Sequence, residues 1–487
     1  MKEEVVPCEA EAPDATTSRE RASRFRNEDA HSSAVRKKGA ARAALLTAPI
    51  VSTMAKLALP TIAVLAAQTL VGIAETYYVG LIGTDALAGT ALVFPFWAMM
   101  AMMSNGGIGG GVSSAVARAI GAHRHEDADA LVFHALALAV IMGATFFVGA
   151  IWMGPAIYTK LGGRDEALRV ALRYSRFMFA GSIPIWIVNL LSAALRGSGN
   201  VRVPALVTLI GACVLIPCSP ALIFGFGPIP RLGVGGAGVA VATYYTIASL
   251  ILIRYMMKGR SGLVLRVVPL ERRLLRDILR VGLPAAVSTI QTNLTVIIIT
   301  AGFGLFGIDA LAGYGIASRL DYLIIPLMFG LGTAILTMVG VNAGAGHLQR
   351  ARRIAWTGAI VGATIPGLIG LVASIYPLLW LHIFTHDSSV LVPATLYLRH
   401  VALAYGVLGT GLALSYASQG IGRVAWPFVA GTVRMLIAGA VGWLAVTHFG
   451  ASLTTLSLIV TGAIVAYALI CMIPILSGGF HKPVKTA

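Results

Sequence analysis

The sequence predicts an all-α integral membrane protein with twelve transmembrane helices in two six-helix bundles, related by a pseudo-two-fold parallel repeat. Three observations lead to this fold class: the composition, the spacing of apolar runs and an internal duplication. Of the 487 residues, 57% are hydrophobic and only 12% are charged, whereas soluble domains are about 25% charged. A soluble protein of this size would need far more charged surface.

Apolar runs of about 20 residues, the length at which a helix crosses a bilayer, recur along nearly the whole chain. Short connections that contain charged or turn-forming residues separate them. We expect transmembrane helices at residues 57–80, 88–117, 129–152, 168–195, 203–225, 236–257, 282–305, 313–341, 354–377, 393–418, 426–447 and 455–477.

The second half of the chain repeats the first. The segment that starts at Leu59, LPTIAVLAAQTLVGIAETYYVGLIGTDALAG, matches LPAAVSTIQTNLTVIIITAGFGLFGIDALAG, which starts 224 residues later at Leu283. GAHRHEDA matches GAGHLQRA, and GSGNVRVP matches GIGRVAWP, both at an offset of 223. A near-constant offset over separated blocks indicates internal duplication. Because each copy holds an even number of helices, the copies run parallel and suit rocking of two halves.

The repeat divides the chain into two bundles, a linker and two tails. The linker and the first tail are rich in charged residues, which is typical of segments that lie outside the membrane. The expected divisions are a disordered charged tail at 1–47, a first bundle at 48–258, a linker at 259–278, a second bundle at 279–478 and a tail at 479–487.

Basic residues are distributed unevenly between the two sides of the predicted membrane. Of the Lys and Arg residues in connections, 18 lie on the side that includes the C-terminal tail and 3 on the other. The positive-inside rule then places both termini in the cytoplasm, with the protein in the cell inner (plasma) membrane. The net charge of +17 is therefore a topology signal, and no nucleic-acid partner is expected.

Two basic segments are candidates for the membrane surface. The end of the first tail, RKKGAARAALLTAP, is either disordered or a short amphipathic segment on anionic lipid. In the linker, RRLLRDILR at 272–280 is amphipathic enough to form a short helix at the cytoplasmic interface.

The repeated blocks also predict local structure. Asp85 and Asp309 follow glycines in tight turns, where we expect them to cap the following helices. The glycine-rich stretch NGGIGGGVSSAVA at 105–117 predicts close helix approach.

One carboxylate lies inside the first predicted helix. Gln68, Gly72, Glu75 and Tyr78 fall near one helix face. An ionised carboxylate at depth costs several kcal/mol, so this polar face should contact protein or water rather than lipid. The alternative is that Glu75, six residues from the helix end, is merely hydrated near the outer mouth.

Several of these blocks resemble the multidrug and toxic compound extrusion (MATE) family of secondary transporters. They include LALP at 57–60, ETYYVGLIGTDALAG at 75–89, GIGGGVSSAVARAIGA at 107–122, LRGSGNVRVP at 195–204 and LGVGGAGVAVAT at 232–243. The resemblance implies a monomeric, cation-coupled efflux antiporter, not an enzyme, whose V-shaped cavity opens alternately to each side. Its partners would be lipophilic cations and membrane lipids, with no cofactor and with H⁺ or Na⁺ as the coupling ion.

The resemblance also implies site residues. Glu75 takes the place of the family's first-helix aspartate, and Asp321 is the second candidate for the coupling ion. Ser219 stands where many members have an aspartate, while Pro217 and Pro220 predict a locally broken helix. From the residues alone, Asp321 and Arg434 are expected to form a buried ion pair, and the alternative is that Arg434 snorkels or bonds backbone carbonyls. The predicted substrate cavity is lined by Gln68, Tyr78, Asn189, Ser219, Gln291, Asn293, Thr295, Arg319 and Arg434.

Two other functions are less consistent with the sequence. A flippase for a lipid-linked or polar substrate would need a more cationic cavity, and the predicted central helices offer only Arg319 and Arg434. An intramembrane enzyme is disfavoured because the sequence has no HExxH motif and no paired aspartates within predicted spans.

Overall fold

The computed structural model describes residues 39, 42–227, 230–259 and 262–477. Eleven helices are long and apolar enough to cross a membrane, and a pair bent by 46° supplies a twelfth span. We number the spans α1 (Ile50–Gly80), α2 (Thr84–Gly121), α3 (His125–Lys160), α4 (Asp165–Ala180 with Ser182–Gly197), α5 (Arg202–Phe224), α6 (Val234–Met257), α7 (Arg272–Gly304), α8 (Ile308–Gly344), α9 (Leu348–Ile375), α10 (Ser388–Gly420), α11 (Ala425–Phe449) and α12 (Leu453–Leu476).

Each predicted span corresponds to one of these helices, and most helices extend a few residues beyond the apolar run. The clearest extension is in α7, which begins at Arg272 rather than near residue 282. The amphipathic stretch 272–280 is therefore the first part of α7, and the prediction of a separate interfacial helix was wrong. Its apolar face explains the continuity, because Leu274 and Ile278 are buried against the first half.

Several helices contain irregular turns, but not where prolines predicted one. The fifth helix is continuous from Arg202 to Phe224 and includes Pro217 and Pro220, so the predicted break is absent. Each proline removes one backbone hydrogen bond, and neighbouring helices can compensate for that loss. The irregular turns include π-helical segments at Met103–Ile108 in α2 and at Leu436–Val441 in α11, and a 3₁₀ turn at Ala402–Ala404 in α10.

The pseudo-two-fold repeat is visible in reciprocal contacts between α2 and α8. A Cβ built on Gly121 would lie 2.2 Å from the carbonyl oxygen of Val341. A Cβ built on Gly344 would lie 2.2 Å from the carbonyl oxygen of Arg118. Both pairs of positions are related by 223 residues. The two helices therefore cross at equivalent glycines, as expected for a duplicated unit.

The glycine-rich stretch of α2 brings this helix against α7, as predicted. A Cβ on Gly111 would lie 2.4 Å from the carbonyl oxygen of Ile278, and one on Gly107 would lie 2.7 Å from the Cα of Ala286. No larger residue fits either position without moving a backbone, and this close approach is what small residues provide in membrane bundles.

The two halves are joined mainly at the end that carries the basic connections, which we call the basic end. There Arg118 Nη2 donates to Asp277 Oδ1 at 2.6 Å, and Thr337 Oγ1 donates to the carbonyl of Arg196 at 3.1 Å. Among the described residues, the hydrogen bond between halves that lies farthest from this end joins Asn293 Nδ2 to Met102 Sδ at 3.5 Å.

A short helix at 42–47 covers the basic end where the halves meet. Leu45 is buried, and its carbonyl accepts a hydrogen bond from Asn342 of α8. Arg42 donates to the carbonyl of Gly121 at the end of α2. The expectation of a disordered or lipid-bound tail is therefore wrong for these residues, because the leucine packs on protein. The rest of 1–41, apart from residue 39, lies outside the described residues.

The predicted caps of α2 and α8 were also wrong. The N-cap residues are Gly83 and Gly307, at φ angles of 145° and 105° that favour glycine, and neither helix has a side-chain cap. Asp85 and Asp309 lie in the first turn instead, where a negative charge complements the helix dipole.

Candidate functional site

Glu75 faces the interior of the first half. Its Oε1 is fully buried and has no hydrogen-bond partner among the described residues. The carboxylate lies close enough to Tyr174 of α4 and Tyr245 of α6 for its charge to act on both hydroxyls. The ion pairs of the described chain do not include Glu75. It is therefore a sheltered carboxylate without a counter-charge.

Asp321 occupies a comparable place in the second half. Its carboxylate lies close to the hydroxyls of Tyr397 and Tyr405, both in α10. Tyr397 lies 223 residues after Tyr174 and is its repeat counterpart. Each half thus places a carboxylate against the same tyrosine of the repeat, although one carboxylate comes from α1 and the other from α8.

Arg434 distinguishes the two carboxylate sites. It is close enough to Asp321 for the charges to interact, but the described residues form no Asp321–Arg434 ion pair within 4.0 Å. The Arg434 guanidinium instead lies over the ring of Tyr467, at 5.9 Å from the ring centroid. The expected direct pair is therefore replaced by a looser electrostatic contact and a cation–π contact.

Two of the predicted cavity residues, Gln68 and Asn189, line one polar cavity. It lies between α1, α2, α4 and α5, and Asn189 Nδ2 donates to Ser104 Oγ at 2.7 Å. We call it the Arg196 cavity, because a buried arginine contributes to its wall. Its lining residues are Thr61, Val64, Gln68, Asn105, Val188, Asn189, Ser192, Arg196, Val201, Pro204, Ala205 and Thr208.

The other predicted residues of the first half lie elsewhere. Tyr78 packs beside the apolar cluster that contains Ile223 and Val234. Ser219 is fully buried in α5, and its hydroxyl has no partner among the described residues. Neither residue lines the Arg196 cavity.

The predicted residues of the second half do not converge on one site either. Gln291 Nε2 donates to Thr432 Oγ1 at 2.8 Å, and Thr295 is buried and donates to the carbonyl of Gln291. Asn293 is exposed and contacts Met102 across the halves. Arg319 is exposed and lies over the ring of Phe384, at 5.3 Å from its centroid.

Sequence reasoning missed two buried arginines, Arg118 and Arg196. Both lie just outside the predicted spans 88–117 and 168–195. The number of arginines predicted for the central helices was therefore too low. In the structure they lie in the last turns of α2 and α4 and are 2% and 8% exposed. The signal that could have found Arg196 is its position directly before the glycine of the repeated block GSGNVRVP.

Clusters suited to a structural metal are absent from the described chain, where no three His, Cys, Asp or Glu residues group together. Each carboxylate site instead offers one acidic group surrounded by tyrosines. Such a site can hold a proton or a single cation by charge and desolvation.

Twelve membrane-crossing helices in two repeat-related halves, with a sheltered carboxylate and a polar cavity, define a multi-pass membrane transporter. The MatE family profile matches residues 60–221 and 284–444. The chain belongs to this family of multidrug and toxic compound efflux transporters, whose members are transporters and not enzymes.

Curated relatives and solved structures agree with this assignment. The chain is 25% identical to a protein of Shewanella oneidensis named FAD transporter, over 81% of this chain and 88% of that one. It is 28% identical to the probable multidrug resistance protein NorM of Thermotoga maritima, over 77% and 81%. Its fold matches a MOP superfamily transporter from Pyrococcus furiosus with a TM-score of 0.82 at 23% identity, over 90% and 98%.

Proposed function

We propose that this protein exports lipophilic cationic compounds by antiport with H⁺ or Na⁺, through alternating access of its two halves. In this proposal both termini are cytoplasmic, the inner (plasma) membrane is the site of action and the protein acts as a monomer. The observation that carries the proposal is the carboxylate of Glu75, which is sheltered inside the first half without a cationic partner among the described residues.

The chemistry follows from the cost of an isolated charge in a medium of low dielectric constant. An ionised Glu75 needs a cation beside it, and a protonated Glu75 does not. A proton, a sodium ion and a cationic substrate therefore compete for one group. Antiport results if coupling ion and substrate favour opposite conformations of the halves.

Alternating access requires the contacts at the basic end to break. Arg118–Asp277 and the short helix 42–47 hold that end closed, so the described state suits access from the opposite end. In the second half, Asp321 is the next candidate for a coupling group, although Arg434 lies within electrostatic reach of it.

The test is transport of ethidium in proteoliposomes under an imposed pH or Na⁺ gradient. We expect Glu75→Gln to lower gradient-driven transport at least about tenfold, the equivalent of 1.4 kcal/mol. Asp85→Asn, which changes an exposed carboxylate at the start of α2, is the matched control and should transport normally. Normal coupling of Glu75→Gln under both gradients would contradict the proposal.

A second candidate is export of a polar, negatively charged compound. This is the function class of a flippase for a polar substrate. Two observations favour it: Arg196 is buried in a polar cavity, and one relative of this chain is named FAD transporter. Gradient-driven transport of FAD without transport of ethidium would favour this candidate over the first.

A further inference from the structure

Arg196 is a buried cation without an anionic partner in the described chain. Its Nη2 donates to Asn105 Oδ1 at 2.9 Å, whereas its Nε is buried and has no hydrogen-bond partner among the described residues. No carboxylate of the described residues pairs with it. Its ring neighbour is Phe329 of α8, 6.0 Å from guanidinium carbon to ring centroid.

The cavity beside Arg196 has the chemistry of an anion site. Its polar lining consists of Arg196 together with amides and hydroxyls, which both donate and accept hydrogen bonds, and it includes no Asp or Glu. A phosphate or carboxylate group in it would lie beside the Arg196 side chain, and hydrogen bonds to a charged partner are among the strongest in proteins.

The equivalent position of the second half carries no charge. The repeat counterpart of Arg196, at an offset of 223, is the neutral Gln419, which is equally buried at the end of α10. A buried charge without a partner is costly. The carbonyls at the end of α4 offset only part of that cost, because a helix terminus contributes about 0.3–1 kcal/mol. The charge of Arg196 therefore calls for a functional explanation, which its neutral counterpart Gln419 does not need.

We propose that the Arg196 cavity binds the anionic group, a phosphate or carboxylate, of a compound that this transporter carries. Arg196 supplies the charge, and Asn105 holds the guanidinium in place. Phe329 and Tyr416 of the second half lie beside Arg196, so an aromatic part of the compound can contact the other half. The binding part of this inference stands alone, and only the transport part rests on the proposed function.

Riboflavin and riboflavin 5′-phosphate (FMN) are suitable probes, because they share one ring system and differ by a single phosphate. Binding to the purified full-length protein in detergent is measured by quenching of flavin fluorescence, with no gradient present. We expect the wild type to bind FMN at least about tenfold more tightly than riboflavin, since a hydrogen bond to a charged group contributes about 1.5–3 kcal/mol.

Three variants locate the preference. Arg196→Gln installs the residue of the repeat counterpart and should bind both flavins equally. Arg196→Lys keeps the charge without the planar fork and should retain part of the preference. Arg231→Gln removes an exposed arginine in the connection before α6 and should behave as wild type.

Equal binding of both flavins by the wild type, or an undiminished FMN preference in Arg196→Gln, would overturn the proposal. A preference that persists in phosphatidylcholine nanodiscs but disappears in phosphatidylglycerol nanodiscs would assign the cavity to a lipid headgroup and overturn it as well. Glu75→Gln should keep the FMN preference. Normal ethidium antiport by Glu75→Gln, together with an intact FMN preference, would therefore count against the proposed function alone.

Discussion

The two halves of the protein place a carboxylate against the same tyrosine of the repeat, but they treat its charge differently. Asp321 faces Tyr397 and has Arg434 within electrostatic reach. Glu75 faces Tyr174, the counterpart of Tyr397, and has no cation near it among the described residues. The two halves share this tyrosine, whereas the acidic residue lies in α1 in the first half and in α8 in the second.

Asp321 thus has a cation within electrostatic reach, whereas Glu75 has none among the described residues. We call the Asp321 site balanced and the Glu75 site unbalanced in this sense. The repeat counterpart of Arg434 is Gly211, where a Cβ would lie 1.9 Å from the ring of Tyr244. The first half therefore has no room for an equivalent arginine unless that ring moves. A site that must exchange cations cannot hold a permanent one, so the unbalanced half suits coupling and the balanced half suits structure.

The basic end shows the same asymmetry on a larger scale. Arg118 bonds Asp277 and Ser114, and it also reaches the carbonyl of Gly420 at 3.5 Å. Its repeat counterpart is Val341, which makes no such bond. The first half supplies Arg118, the charged group that holds the closed end. The second half supplies the groups that accept from it, the carboxylate of Asp277 and the carbonyl of Gly420.

Arg118→Met should give the largest loss of stability. It leaves Asp277 and the carbonyl of Gly420 without their shared donor, and breaking a buried ion pair typically costs about 3–5 kcal/mol. We expect a loss of that size in SDS-induced unfolding. Asp277→Asn should cost less because Asp277 is 28% exposed. Additive effects of the two changes would show that the pair does not couple.

Arg434→Met should have the next largest effect, because it removes the cation that balances Asp321. We expect a loss of about 1–3 kcal/mol, typical of leaving a buried polar group uncompensated. Adding Asp321→Asn should restore part of that loss. No recovery in the double variant would mean that packing over Tyr467, rather than charge balance, is what Arg434 contributes.

Glu75→Gln should change unfolding by less than about 1 kcal/mol, in the same assay. No described partner is lost, and a neutral amide avoids burying a charge. The contrast with Arg434→Met is the sharpest test of the difference between the halves. A loss comparable to that of Arg434→Met would reveal a structural partner of Glu75 and remove the distinction between a balanced and an unbalanced site.

The smallest effect is expected outside the membrane, at the start of α10. Asp387 caps this helix by accepting from the backbone N–H of Ser389, whereas its repeat counterpart at the start of α4 is Arg164, with no side-chain cap. Hydrogen bonds from the Ser389 backbone and hydroxyl lower the pKa of Asp387. The stabilisation that the ionised Asp387 provides is therefore fully present above the unfolded-state pKa of about 3.9. It is lost as the pH falls through the lower pKa of the folded state.

Asp387→Ala should accordingly lower the melting temperature slightly at pH 7 and have a smaller effect at pH 3. Arg164→Ala serves as the control, with no change at either pH. A constant difference between wild type and Asp387→Ala across this range would show that the carboxylate charge does not contribute to the cap.

The sequence by itself determined the twelve spans, the duplication and the burial of one carboxylate in the first half. These follow from quantities that accumulate along the chain: apolar length, the repeat offset and the distribution of Lys and Arg. The same quantities misplaced Arg118 and Arg196, because a hydropathy window assigns a charged residue at a helix end to the connection rather than to the buried last turn.

Only the tertiary structure decided which side chains meet. It brought Tyr174 and Tyr245 close to Glu75 and separated Tyr78 and Ser219 from Gln68. It also placed Arg196 in the wall of a polar cavity. In a bilayer, residues that face lipid and residues that face the bundle are equally apolar. Hydropathy therefore does not report the rotation of a helix, which is set by contacts with helices far away in sequence.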